Sequence, residues 1–219
     1  MKKSSILFLI IVLIPIMVIM LYFKPNNQSV DTSSKKQSNL DSRVDTISAN
    51  TDLSELLWTG FKLTGKHNGN LKLADGSFYL KNDIVVGGEF IFDMNSINCT
   101  DLQGKKKESI ESHLKDGDFF EVDKHPNSSF TITNIETQND SLGKFNISGN
   151  LTIKDSTLNI QFPANILISD SIIQATSSPF NIDRTKWGIM YSSKKILDNW
   201  KEGYIYDDME IIINVVGKK

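Results

Sequence analysis

The sequence predicts an all-β domain of about eight antiparallel strands with one short helix, set behind an apolar N-terminal segment and a polar connector. Three observations predict it. Apolar and polar residues alternate with period two over most of residues 44–219, turn residues punctuate the alternation, and only residues 106–115 depart from it. No strand–helix–strand rhythm occurs, so a doubly wound parallel sheet is not expected.

At the N-terminus, Lys2 and Lys3 precede residues 6–23, a run of eighteen uncharged, almost wholly apolar residues. That length reaches the lower end of what crosses a bilayer as a helix. A cleaved signal peptide would carry a shorter run ending in small residues, whereas this one ends Met20-Leu21-Tyr22-Phe23. Residues 1–23 are therefore expected to be one transmembrane helix that stays attached, with the lysines holding its start in the cytoplasm. The remainder would lie outside the cytoplasmic membrane, in the periplasm or its equivalent, or be exported if the segment is cut. Residues 24–43 contain only Val30 and Leu40 as aliphatic side chains. Such a stretch buries too little surface to offset its ordering entropy, and a flexible tether is expected.

The domain is expected over residues 44–219. Leu57, Phe61 and Leu63 alternate, with Trp58 on the opposite face; Phe90, Phe92 and Met94 oppose Glu89, Asp93 and Asn95. Phe145, Ile147, Gly149, Leu151 and Ile153 share a face. So do Leu158, Ile160, Phe162, Ala164, Ile166 and Ile168, and Ile211, Ile213 and Val215 near the end. This is the pattern of half-buried antiparallel strands. Asp75-Gly76, Gly87-Gly88, Asn139-Asp140 and Lys154-Asp155 read as turns. In residues 106–115, Ile110, His113 and Leu114 recur at helical spacing, which predicts a crossover helix after the fourth strand. An antiparallel sheet of this size closes into a barrel or splits into a sandwich, and periodicity alone does not choose.

Lys and Arg total 24 against 26 Asp and Glu, a net charge of −2. No basic excess exists, and nucleic acid is not an expected partner. A single cysteine, Cys99, excludes an internal disulfide and every multi-cysteine metal site. The nucleophile-elbow and zinc-protease motifs are absent. His67, His113 and His125 lack metal-ligand spacing, so neither metal nor cofactor is expected. His113 shares the apolar face of Ile110 and Leu114, as a core histidine or a polar group at a cavity edge. His67 falls in an apparent turn and His125 in an extended loop before Pro126. Asp183-Arg184 close to Trp187 reads either as an ion pair closing a barrel end or as a contact for a ligand headgroup. The phenylalanines on or beside strands fit a plain core, or the lining of a cavity for a long apolar ligand.

Five blocks in order are similar to the YceI-like family of bacterial polyisoprenoid-binding proteins. The most specific runs from His113-Leu114-Lys115-Asp116-Gly117-Asp118-Phe119-Phe120-Glu121-Val122 through Lys124-His125-Pro126 to Phe130. The others are Trp58-Thr59-Gly60 with Gly65-Lys66-His67-Asn68-Gly69, then Gly88-Glu89-Phe90 through Met94-Asn95-Ser96-Ile97. Gly149-Asn150-Leu151-Thr152-Ile153-Lys154 and Asp183-Arg184-Thr185-Lys186-Trp187-Gly188 complete the set. His125 stands in place of the family's tyrosine, and Asp155 where glycine often closes the turn. The resemblance implies a lipocalin-like antiparallel β-barrel with a hydrophobic interior. It implies binding of a long-chain amphiphile, such as a polyisoprenoid, an isoprenoid quinone or a fatty-acid derivative, and no catalysis. On that reading Phe90, Phe92, Met94, Phe119, Phe120, Phe130 and Phe162 line the cavity, and His113, Arg184 and Trp187 stand at its mouth. The competing reading is a cell-envelope interaction protein with a filled core and no ligand.

Overall fold

Alternating side chains make each strand two-faced, and the apolar faces are satisfied together only if the sheet curls around them. The structure, a computed structural model, describes residue 25 and residues 28–38, 44–138, 143–196 and 203–219. In chain order these form β1 (Thr32–Ser34), β2 (Asp45–Ser48), β3 (Glu55–Lys62), β4 (Gly65–Lys81) and β5 (Ile84–Cys99). Helix α1 (Gly104–Lys115) follows, then β6 (Asn127–Thr137), β7 (Lys144–Ile153), β8 (Ser156–Ile168), β9 (Ile172–Ser177) and β10 (Phe180–Asp183). A 3₁₀ turn at Arg184–Trp187 leads to β11 (Ile205–Lys218). β3 to β9 pair in sequence, β9 pairs β11, and β11 returns to β3, all antiparallel. That closed ring of eight strands is a barrel, with β1, β2 and β10 added on β8, β4 and β11.

The interior holds the residues the alternation assigned to it: Phe90, Phe92 and Met94 from β5, Ile147 and Ile153 from β7, Ile160, Phe162, Ala164 and Ile166 from β8, and Ile211 and Val215 from β11. Four expectations are corrected. In β3 the inner residues are Leu56 and Trp58, while Leu57 is exposed. The alternation there is broken by Gly60, and Phe61 is buried again, so the period alone misassigned the face. Asp75-Gly76 and Gly87-Gly88 are not turns but lie inside the long strands β4 and β5. Glycine is needed there for close approach: a Cβ at Gly76 or Gly88 would lie 2.7 or 3.0 Å from the Phe90 ring. The turn itself is Asn82-Asp83, both with positive φ, as a tight hairpin requires. His67 likewise sits within β4. The helix follows β5, the third strand of the ring, and starts at Gly104.

The fourth correction concerns the connector. The anchor expected over residues 1–23 lies outside the described residues, and among those described no helix is long and apolar enough to cross a membrane. Part of the expected tether, however, is built into the barrel. After Ser177 the chain leaves β8, and β10 pairs only β11. Residues 28–38 fill the seam: β1 pairs residues 158–160 of β8, Ser29 bridges Asn181, and the Val30 N–H donates to the Asn181 carbonyl at 2.7 Å. Asn150 then grips the Lys36 backbone from both sides, accepting its N–H at 2.9 Å and donating to its carbonyl at 2.7 Å. Composition could not reveal this, because a strand edge is satisfied by main-chain groups that every sequence carries.

A candidate ligand-binding cavity

The barrel encloses a cavity of about 150 Å³. Apolar side chains come from most of the ring, among them Leu56, Trp58 and Phe61 from β3, Phe92, Met94 and Ile97 from β5, Phe130 from β6, Ile160 from β8, and Met209, Ile211 and Ile213 from β11. One end is closed by Ile110, His113 and Leu114 of α1 and by Phe119 and Phe120, which the turn at residues 116–120 folds back inward. Of the residues expected to line the cavity or its mouth, Phe92, Met94, His113, Phe119, Phe120, Phe130 and Arg184 do so. Phe90, Phe162 and Trp187 do not. Phe90 packs edge-on against Phe78 with ring centroids 5.2 Å apart, and Phe162 stacks flat on Phe180 at 4.3 Å. Trp187 is fully buried and donates its Nε1–H to the Leu151 carbonyl at 3.1 Å. The walls supplied by β3 and β11 were not among the expected lining residues: the face of β3 was inverted, and the lining was sought among the phenylalanines, of which β11 has none.

The Trp58 Nε1–H is buried without a hydrogen-bond partner, a donor on the wall of an otherwise apolar space. The cavity meets an open groove between α1 and the ends of β3 and β4. Lys62, His67, Leu102, Lys105, Lys106, Ser109, Ile110 and His113 line that groove, and four of them also line the cavity. α1 is lightly held. It buries no residue fully, has no side-chain N-cap and no acid in its first turn. Two polar contacts fix it to β5: the Cys99 N–H donates to Glu111 at 2.7 Å, and Lys107 donates to the Asn98 side chain at 2.7 Å. His113 rests edge-on against Phe119 and Tyr191, at 5.3 and 4.5 Å between ring centroids.

Arg184 is a wall, 1% exposed. Its guanidinium donates to the carbonyls of Ile189, Tyr206 and Ile205 at 2.7, 3.2 and 3.2 Å, stands 5.5 Å from the Phe119 ring, and reaches Asp207 at 3.7 Å. Burial lowers its pKa against the opposing pull of Asp207 and Asp183. These bonds tie the start of β11 to residues 184–189, and the arginine also borders the cavity. Asp183 caps the 3₁₀ turn, accepting from the Thr185 N–H at 3.0 Å and from Lys195 at 2.9 Å. Burial works to raise its carboxyl, but hydrogen bonds from Thr185 and Lys195 outweigh it and hold the pKa below the ordinary value. His125 lies 3.6 Å from Asp155 and 3.9 Å from Glu121, in an ionic cluster with Lys124 and Lys154 away from the cavity.

Beside the groove the fold assembles a group that no sequence spacing signalled. His67 Nδ1 is 2.9 Å from Asp101 Oδ2, and the Cys99 thiol donates to Asp101 Oδ1 at 3.2 Å. The Asn68 N–H also donates to Asp101 Oδ1. Burial pushes the Cys99 thiol up, and Asp101 adds to that. For Asp101 burial is opposed and outweighed by the donors from Asn68, His67 and Cys99, so its carboxyl lies below the usual value.

Known proteins share this architecture. The barrel resembles Burkholderia cenocepacia BcnA, at 14% identity and a TM-score of 0.58, over 77% of this chain and 98% of that one. It is equally similar to a polyisoprenoid binding domain from Saccharophagus degradans implicated in plant cell wall breakdown, at 14% identity and a TM-score of 0.58, over 80% and 99% of the two chains. A Campylobacter jejuni YCEI protein aligns over 90% of this chain and 98% of its own, at 19% identity and a TM-score of 0.50. No curated protein matches the chain by sequence. The YceI-like domain family matches residues 48–217, nearly the whole barrel, and the chain belongs to that family.

Proposed function

We propose that this chain binds a lipid of the isoprenoid or fatty-acyl class, with the apolar tail inside the barrel and the polar head in the groove beside α1. The observation that carries this is the continuity of an almost wholly apolar cavity with a groove bearing Lys62, Lys105 and Lys106. A solved domain of the same fold is described as polyisoprenoid binding, which supports the ligand class. The three lysines and the N-terminal end of α1 favour an anionic head. Trp58 offers its unpaired N–H to an oxygen on the bound molecule. The proposed role is carriage, storage or shielding of the lipid, with no chemical step. The proposal extends to location: residues 1–23 would hold the barrel near the outer face of the cytoplasmic membrane, where such lipids reside.

The cavity as it stands matches the size of one that takes a single benzene ring. A long tail therefore enters by displacing flexible side chains, of which Met94, Met209 and Leu114 line the space. Native mass spectrometry of the full chain, exported in a bacterial host, tests the reading. The expected result is a stoichiometric mass excess that solvent extraction removes and whose mass names the lipid. A bare chain, still bare after incubation with polyprenols, quinones and fatty acids, would establish the filled-core reading instead.

A further inference from the structure

We propose that His67, Cys99 and Asp101 form a binding site for one divalent cation of the zinc class. One nitrogen, one sulfur and one carboxylate oxygen lie within 4.8 Å of one another; His67 Nδ1 is 2.9 Å from one Asp101 oxygen and the Cys99 thiol is 3.2 Å from the other. A tetrahedral zinc ion spaces such ligand atoms by about 3.3–3.6 Å, so on binding the widest pair closes by on the order of 1 Å, which side-chain rotation supplies.

The scaffold is already fixed. Gly69 and Cys99 are paired between β4 and β5. The Thr100 N–H donates to the Asn68 carbonyl at 2.9 Å, the Asn68 N–H to Asp101 at 3.0 Å, and the Cys99 N–H to Glu111 at 2.7 Å. The thiol is wholly buried while the His67 and Asp101 side chains are 23% and 28% exposed, so an ion enters from solvent and meets sulfur at the floor. Charge selects valence: one thiolate, one carboxylate and a neutral imidazole sum to −2, which a divalent ion cancels and a monovalent ion does not. The mixed sulfur, nitrogen and oxygen donors favour zinc, cobalt or copper over magnesium or calcium. On binding, the Cys99 thiol loses its proton to solvent, and His67 ligates through Nδ1 with its own proton on Nε2. Three protein ligands leave one position for water or an exogenous group. Because His67 also lines the groove and the cavity, the ion would sit at their shared rim.

Titration of the full chain with Co²⁺ provides the test, since cobalt bound to thiolate absorbs by charge transfer in the near ultraviolet. The expected result is a band that saturates at one Co²⁺ per chain and is displaced by Zn²⁺. Cys99→Ser should abolish it. His67→Gln and Asp101→Asn, at partly exposed positions, should each weaken binding at least about tenfold while circular dichroism still reports an intact barrel. Absence of the band would overturn the proposal. So would a band that His67→Gln and Asp101→Asn leave unchanged, which would mark an adventitious ion only. Neither outcome depends on whether a lipid binds.

Discussion

Arg184 is the side chain on which most main chain depends. It donates to the carbonyls of Ile189, Ile205 and Tyr206, and it does so at 1% exposure. Arg184→Leu keeps the bulk but strands those carbonyls and Asp207, and should lower unfolding free energy by about 3–5 kcal/mol in urea denaturation. Asp183 acts through charge. Its carboxyl titrates below the ordinary value of about 3.9, so its stabilisation is full above that value and is lost as pH falls through the lowered one. Asp183→Asn should be less stable than the parent by about 1–2 kcal/mol at neutral pH. The gap should narrow in thermal melts as the pH drops below about 4; a gap that stays constant would remove the carboxylate from the explanation. Both residues stood out in the sequence as a pair beside Trp187, but their partners did not. Backbone carbonyls carry no residue signature, so the sequence left Arg184 poised between fastener and ligand contact.

Among the elements, the strands were legible where alternation was uninterrupted, as in β5, β7 and β8, because a two-faced strand with one buried side writes period two directly into the chain. They were misread where glycine serves packing rather than turning, as at Gly76 in β4 and Gly88 in β5, each set against the Phe90 ring. A glycine of the same kind lies in a strand the alternation did reveal. Gly149 in β7 lies under the Phe130 ring, and a Cβ there would stand 2.1 Å from the ring's edge. Gly149→Ala should cost about 1–3 kcal/mol by crowding, and Phe130→Leu in the same chain should recover part of it, a coupling that a double-mutant cycle in urea measures. The seam strand was illegible for a different reason: β1 and its flanks contribute main-chain pairing instead of apolar burial. Removing residues 1–38 should lower stability by about 2–4 kcal/mol, the sum of a few net backbone hydrogen bonds. Equal stability of the two chain lengths would show that residues 28–38 merely rest on β8.

For the whole molecule, closing eight strands into a ring gives an interior that side chains nearly fill, and a small volume remains. Alternation supplied the apolar lining but not the closure, and the resemblance of five sequence blocks supplied the barrel. The groove required three dimensions, since Lys62 on β3, His67 on β4 and Lys105 on α1 meet only once the helix folds over the barrel end. If tails enter by moving the side chains there, binding is driven by apolar area and grows with tail length. The deciding measurement is the dissociation constant of the full chain for a homologous series of fatty acids, by isothermal titration calorimetry. The expected result is a gain approaching 0.8 kcal/mol per added methylene, roughly fourfold tighter binding at each step, until the lumen is full. Affinity that is flat across the series would contradict it, and would leave the cavity as a packing gap in a filled core.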